Sequence, residues 1–350
     1  MKAVAQENPS LRKRIITAIK FIVFLGFGLA IVWLSLKDLT PIERRQIIHS
    51  FRVANYWWVV LAIVLGIFSH VLRAKRWMLF FEPMGFYPSF KNTFYAVMVG
   101  YFANLAFPRL GEVTRCGILT RYEKIPFQKA LGTVITERAI DMILFFLLFI
   151  MMVFTQIGTI SNYLDQHVYP QLVAKFGDVD YSRLIIIGIL AIIAITILLL
   201  FLIRNKIRNR PLYKKVATLI LGFWEGLKSL SQVKKPGLFI FYSLAIWTLY
   251  FFMLYVIFFC FAETSGLAPG AGLSSLVLGS IGIMITPGGI GLYPAIIQET
   301  LILYGISKAT GLALGWIAWT AQTVMIIFVG GISLLLLTFN KEPNGKAKNS

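Results

Sequence analysis

Six stretches of this chain are apolar for about twenty residues at a time, the length that carries an α-helix across the hydrocarbon core of a bilayer. They run over 15–36, 54–72, 138–158, 184–203, 237–262 and 312–338. In lipid a segment must satisfy its own backbone N–H and C=O groups, so these stretches are expected to be helical. Composition agrees. Of 350 residues, 58% are hydrophobic and 14% charged, with a mean hydropathy of +0.76; a soluble globular chain is about 25% charged. A soluble enzyme, a disordered protein and a disulfide-rich secreted module are thereby excluded. Cys116 and Cys260 offer neither a disulfide framework nor metal-ligand spacing, and His49, His70 and His167 are scattered. No metal and no cofactor are expected. The net charge of +19 is strongly basic. With so apolar a chain, that charge points to a membrane rather than to nucleic acid.

Lys and Arg in short loops set orientation. Arg12, Lys13 and Arg14 precede the first span; Arg73, Lys75 and Arg76 follow the second; a basic run from Arg204 to Lys215 follows the fourth; Lys341, Lys346 and Lys348 lie in the tail. The segment 159–183 is instead acidic, with Asp165, Asp178 and Asp180. This pattern puts the N-terminus (1–14) and the tail (339–350) in the cytoplasm, although Lys37, Arg44, Arg45 and Arg52 then fall outside. The first run is read as a retained span rather than a cleaved leader, because it is too long and lacks a small-residue cleavage site before Lys37. Stretches 41–53 and 212–231 are amphipathic and are expected to lie in the interface.

Two segments do not read as simple crossings. Residues 91–137 hold an apolar run, a break at Pro108-Arg109-Leu110-Gly111, and a second half. Residues 268–306 hold an apolar run, the break Pro287-Gly288-Gly289-Ile290-Gly291, and a second half. Broken backbone at membrane depth is tolerated only when buried in protein or lining a wet cavity, so both are expected to be re-entrant hairpins. Residues 15–158 and 184–338 then show the same order of span, amphipathic stretch, span, hairpin, span. Three crossings per half make the second inverted relative to the first. The expected fold is an all-α polytopic membrane protein, six full spans plus two re-entrant broken hairpins in an inverted-topology repeat. Such repeats place transporter sites at the broken helices.

Charges inside apolar segments cost about 2.5–3.5 kcal/mol or more and mark function by default. In Asn104-Leu-Ala-Phe-Pro-Arg109-Leu-Gly-Glu112-Val-Thr-Arg115, Glu112 and Arg115 lie three apart and can pair. Arg109 sits at the break, where a guanidinium and a restarting helix N-terminus together suit a phosphate. A self-satisfied Arg–Glu cluster that merely seals the hairpin is the alternative. Glu137, Arg138 and Asp141 open the third span, with Glu137 and Asp141 on one face. They serve either as partners for Arg109 or Arg115, or as acidic residues favoured by a helix N-terminus. Pro287, Gly288, Gly289 and Gly291 end one helix and permit close backbone approach to a ligand or a neighbouring helix. Gln298 and Glu299 follow on the second half. No nucleophile–base pair or metal motif is present, so no catalytic residue is assigned and the chain is not expected to be an enzyme.

The strings P-R-L-G-E-V-T-R (108–115), E-R-A-I-D (137–141) and P-G-G-I-G (287–291) resemble the lysylphosphatidylglycerol synthase transmembrane (flippase-like) family over about residues 15–338. The resemblance implies a bacterial or archaeal cytoplasmic-membrane protein related to the flippase half of multiple peptide resistance factor. The aminoacyl-transferase domain of that relative has no counterpart in this sequence. On this reading Arg109, Glu112, Arg115, Glu137, Arg138 and Asp141 become the polar core. The family pattern places a glutamate three residues after its Gly-Ile-Gly triplet; Pro294 stands there, and Glu299 lies five residues further on. The implied function is movement of a phosphate-bearing lipid: a phospholipid, an aminoacyl lipid or a polyprenyl-phosphate carrier. The alternatives are a non-transporting accessory protein that partners cell-envelope enzymes, or a membrane-embedded lipid transferase.

Overall fold

A computed structural model describes residues 40–107, 109–163 and 233–339, together with Gly26, Ala30, Trp33 and Lys37. The apolar runs 15–36 and 184–203, the stretch 212–231 and the tail beyond Phe339 otherwise lie outside the described residues. Among those described, every regular element is helical. Two compact units are present, one built from residues up to Thr133 and from Lys234 onward, the other from Val134 to Val233.

The first unit opens with α1 (Pro41–Val53), started by a capping box in which Thr40 and Glu43 satisfy each other's backbone N–H groups. Next come α2 (Tyr56–Leu79), α3 (Phe90–Ala106) and α4 (Leu110–Glu123). The chain then enters α5 (Phe127–Tyr163). Residues 127–137, read from sequence as part of the first hairpin, therefore belong to the long helix. The turn Lys124–Pro126 separates them from α4, because Pro126 cannot continue a helix.

After the undescribed stretch come α6 (Pro236–Tyr255), which tightens into a 3-10 turn over Val256–Cys260, and a single helical turn at Ala262–Ser265. Then follow α7 (Pro269–Ile285), α8 (Leu292–Ile302) and α9 (Lys308–Phe339). Helices long and apolar enough to cross a membrane cover Tyr56–Met84, Phe127–Thr159, Pro236–Cys260 and Lys308–Phe339. Their outer faces are greasy, with Phe146, Phe154, Phe241 and Phe328 exposed, as lipid-facing helices require.

Small residues let the helices close on one another, the usual device where no hydrophobic effect drives helix pairing. Helices α3 and α4 form an antiparallel pair. At its base Ser89 and Asn92 both donate to the Glu123 carboxylate at 2.6 Å. Near its tip Gly111 meets Gly100 so closely that a Cβ on Gly111 would lie 2.0 Å from the Gly100 carbonyl oxygen. Helices α7 and α8 form a second pair, with Ser274 and Tyr304 bonded at 2.7 Å at the base and Gly279 and Gly282 against Tyr293 nearer the turn. Helix α9 serves both: Gly311 and Gly315 receive α8, and Gly330 receives Met98 and Phe102 of α3. Helices α2 and α6 run antiparallel, from Asn55 bonded to the Cys260 carbonyl at one end to Arg76 bonded to Ser243 at the other.

One polar clasp holds the 261–265 turn to the start of α9. Glu263 accepts from the Ser307 backbone N–H at 2.8 Å and from the Thr310 hydroxyl. Burial alone would raise its pKa, but the hydrogen bonds from Thr310 and Ser307 outweigh that and hold it below the usual 4.5.

Candidate functional site

The site grows from the first break. Helix α3 ends as Phe107 turns extended, and α4 restarts at Leu110. Asn104, one turn back from the end of α3, accepts the Gly111 N–H at 2.7 Å. Its amide oxygen therefore caps the restarting helix. Arg109 sits at the N-cap with φ 67°, a left-handed conformation that an L-residue adopts at a cost of about 1–2 kcal/mol. Its side chain is exposed, while Glu112 is half-buried in the first turn of α4.

Arg115 is different. It is 3% exposed, and its guanidinium lies 4.6 Å from the centre of the Trp77 ring. Trp77 belongs to α2 and is fixed by donating its indole N–H to Thr133 at 2.9 Å. The same stretch of α2 carries Arg76, fully buried, which donates to Ser243 at 3.2 Å, and Arg73, 3% exposed, which donates to Tyr250 at 3.1 Å. The Arg73 guanidinium lies 5.9 Å from the ring centres of both Tyr101 and Tyr250. His70, also buried, packs at a tilt against Tyr101, with ring centres 4.5 Å apart. Three guanidiniums are thus buried among aromatic faces, an arrangement that favours a delocalised cation.

From the sequence, Arg73 and Arg76 read as a cytoplasmic loop after a span ending at 72. The helix instead continues to Leu79. The signal was present: the basic triplet is followed at once by Trp77-Met78-Leu79-Phe80-Phe81. A basic patch enclosed by apolar runs at helical spacing is one buried helix rather than a loop.

The second break lies in the same unit. Gly288, Gly289 and Gly291 have φ of 61°, 76° and 73°, values open to glycine without strain. Gly291 forms the N-cap of α8. The Gly288 carbonyl accepts the Trp319 indole N–H of α9 at 2.8 Å. A Cβ on Gly288 would lie 3.2 Å from Leu105, near the end of α3. The two breaks therefore meet. Pro287 opens the turn. Pro294 is buried against Gly315, and Gln298 is buried and donates to the exposed Glu299 at 2.7 Å. In the second unit Glu137 and Asp141 lie four apart on α5 and are buried, whereas Arg138 is exposed. Among the described residues no cluster of His, Cys, Asp and Glu could hold a metal ion. A groove of about 1000 Å³ opens between α1 and the Glu263 turn, beside Arg45, His49 and Thr310; no sequence-predicted site residue lines it.

Compared with known proteins, residues 17–331 match the family described as the lysylphosphatidylglycerol synthase TM region. A UPF0104 membrane protein of Methanocaldococcus jannaschii is 29% identical over 166 residues, covering 46% of this chain and 44% of that relative. The match thus spans less than half of the relative's own length. No solved structure matches.

Proposed function

Because the chain belongs to the lysylphosphatidylglycerol synthase TM-region family, we propose that it is a transporter moving a phosphate-bearing lipid between the leaflets of a cytoplasmic membrane. The observation that carries this reading is the meeting of two broken helix pairs at Leu105 and Gly288. Broken helices that face each other put helix ends, glycine backbone and charge where a headgroup would pass while its tails stay in lipid. Arg109 and Arg115 contact the phosphate, and Glu112 balances them. The buried carboxylates Glu137 and Asp141 are the groups that would couple movement to an ion. The protein makes and breaks no bond in the lipid and needs no cofactor.

Helix lengths favour re-entrant pairs. Helices α3, α4 and α8 have 17, 14 and 11 residues, about 16–26 Å at 1.5 Å per residue, against a hydrocarbon core of about 30 Å. The antiparallel course of α2 and α6 supports the inverted repeat, since these are the corresponding spans of its two halves. Cytoplasmic termini follow from the distribution of Lys and Arg.

The test is lipid movement in proteoliposomes made with headgroup-labelled phospholipid and polyprenyl-phosphate probes. Wild type is expected to move a probe between leaflets, and Arg109→Ala and Glu112→Ala to slow it at least about tenfold, as loss of one charged hydrogen bond would. Normal rates in both variants would remove the breaks from the mechanism. Formation of a new lipid species on adding an activated donor would instead identify a transferase. Failure to move any probe, together with stable co-purification of an envelope enzyme, would identify an accessory protein.

A further inference from the structure

The first unit buries three arginines, and only one of them, Arg115, belongs to a break motif. Arg73, Arg76 and Arg115 are 3%, 0% and 3% exposed, on helices α2 and α4. A guanidinium taken out of water into the protein interior is expensive. A fold that needed only to seal α2 against α6 would do so at least as well with apolar residues. Arg73 and Arg76 lie three apart on α2, and Arg115 of α4 reaches the same stretch of that helix through Trp77. Trp77 adjoins Arg76 in sequence and lies under Arg115, while Tyr101 and Tyr250 flank Arg73. Tyr101 lies three residues from Asn104, the cap of α4, so the cluster adjoins the first break. Tyr101 and Tyr250 are themselves half-buried and stand at the cluster's edge. Guanidinium forks match the oxygens of a phosphate, and aromatic faces hold the forks in plane when the phosphate is gone.

We propose that Arg73, Arg76 and Arg115 are the anchor for the phosphate of a lipid headgroup, covered by Tyr101 and Tyr250 in the conformation described. The proposal rests on the transport reading for the ligand being a lipid; the guanidinium–phosphate chemistry does not depend on it.

The test reads equilibrium binding rather than transport. The full chain is purified in detergent, and three probes are added: phosphatidic acid, diacylglycerol with the same tails and no phosphate, and inorganic phosphate. Binding is followed by native mass spectrometry and by the shift in unfolding temperature. Wild type is expected to bind phosphatidic acid at least about tenfold more tightly than diacylglycerol, and Arg73→Gln with Arg76→Gln to lose that preference. Arg73→Lys with Arg76→Lys keeps charge and size but loses the forks, so it is expected to fold and still bind several-fold more weakly. Arg44→Gln with Arg45→Gln, exposed on α1, is the matched control and should bind as wild type. Equal affinity for phosphatidic acid in wild type and in the Lys pair overturns the proposal. Inorganic phosphate binding as tightly as phosphatidic acid overturns the lipid source and leaves a free-phosphate site. If wild type binds phosphatidic acid selectively yet moves no lipid in vesicles, the transport reading fails and the anchor stands.

Discussion

Gly111 has no room for a side chain. A Cβ there would meet the Gly100 carbonyl oxygen at 2.0 Å and its carbon at 2.7 Å, and backbone cannot swing aside as a side-chain tip can. Gly111→Ala is expected to cost about 3 kcal/mol or to prevent folding. Gly117→Ala, on the same helix with nothing within 4 Å, should be neutral or stabilise by up to about 1 kcal/mol; thermal melts of the two variants in detergent make the comparison. Lys124, which follows α4 with φ 55°, is a second informative position. Lys124→Gly should raise stability by about 1 kcal/mol by removing left-handed strain from a helix end. Glu263 gives a pH signature. Its pKa is lower folded than unfolded, so the folded state binds fewer protons near that value. Its contribution to stability is complete above about pH 4.5 and is lost as pH falls through the lower folded value. Unfolding temperature should therefore drop in that acid window, and Glu263→Gln should flatten that part of the profile. At this scale the sequence was partly legible. Arg115, Glu112 and the glycines of the second break stood out because charge in an apolar run and a Pro-Gly-Gly string are local signals. Asn104 as a helix cap was not, because the turn that brings Gly111 back to it has no residue signature of its own; Arg73 and Arg76 as buried groups were not, because their burial is decided by α6, far along the chain.

Elements were legible where they were long. The four apolar helices that could cross a membrane overlap runs visible in the sequence, since twenty apolar residues admit little else. Their ends were less legible: α2 runs past 72 to Leu79, and α5 starts at Phe127 rather than near 138. At 73–79 a basic patch read as a loop, and 127–137 read as the end of the first hairpin, while in each case the helix carried on. Helix α5 has 37 residues, about 55 Å at 1.5 Å per residue, well beyond a core of about 30 Å. Part of it must therefore lie outside the core, and the polar Gln128 and Lys129 point to its first turns. Gln128→Cys is expected to react with a water-soluble maleimide in vesicles permeabilised so that the reagent reaches both faces, and Phe146→Cys to resist it. Equal labelling of both would mean that α5 lies in the interface instead of crossing.

At the scale of the whole molecule, the two breaks lie far apart in sequence, at 108–111 and 287–291, and meet in space through Leu105 and Gly288. Pattern reading suggested that each pair is broken; it could not show that the breaks touch, because no local period encodes a contact between distant segments. If transport separates them, joining them should stop it. Leu105→Cys with Gly288→Cys, linked by a short bis-thiol reagent, is expected to abolish lipid movement in proteoliposomes, with recovery when a cleavable linker is cut. Unchanged movement in the linked protein would mean that the breaks stay together throughout the cycle. Helix α9 gives that expectation a mechanical form. Its glycines seat α8 at one end and α3 at the other, and Trp319 holds the second break between them. Seats made of bare backbone leave no slack. The helix is in effect a camshaft: a few degrees of rotation turn both sets of seats together, and a side chain added at Gly315 or at Gly330 would jam the pair seated there.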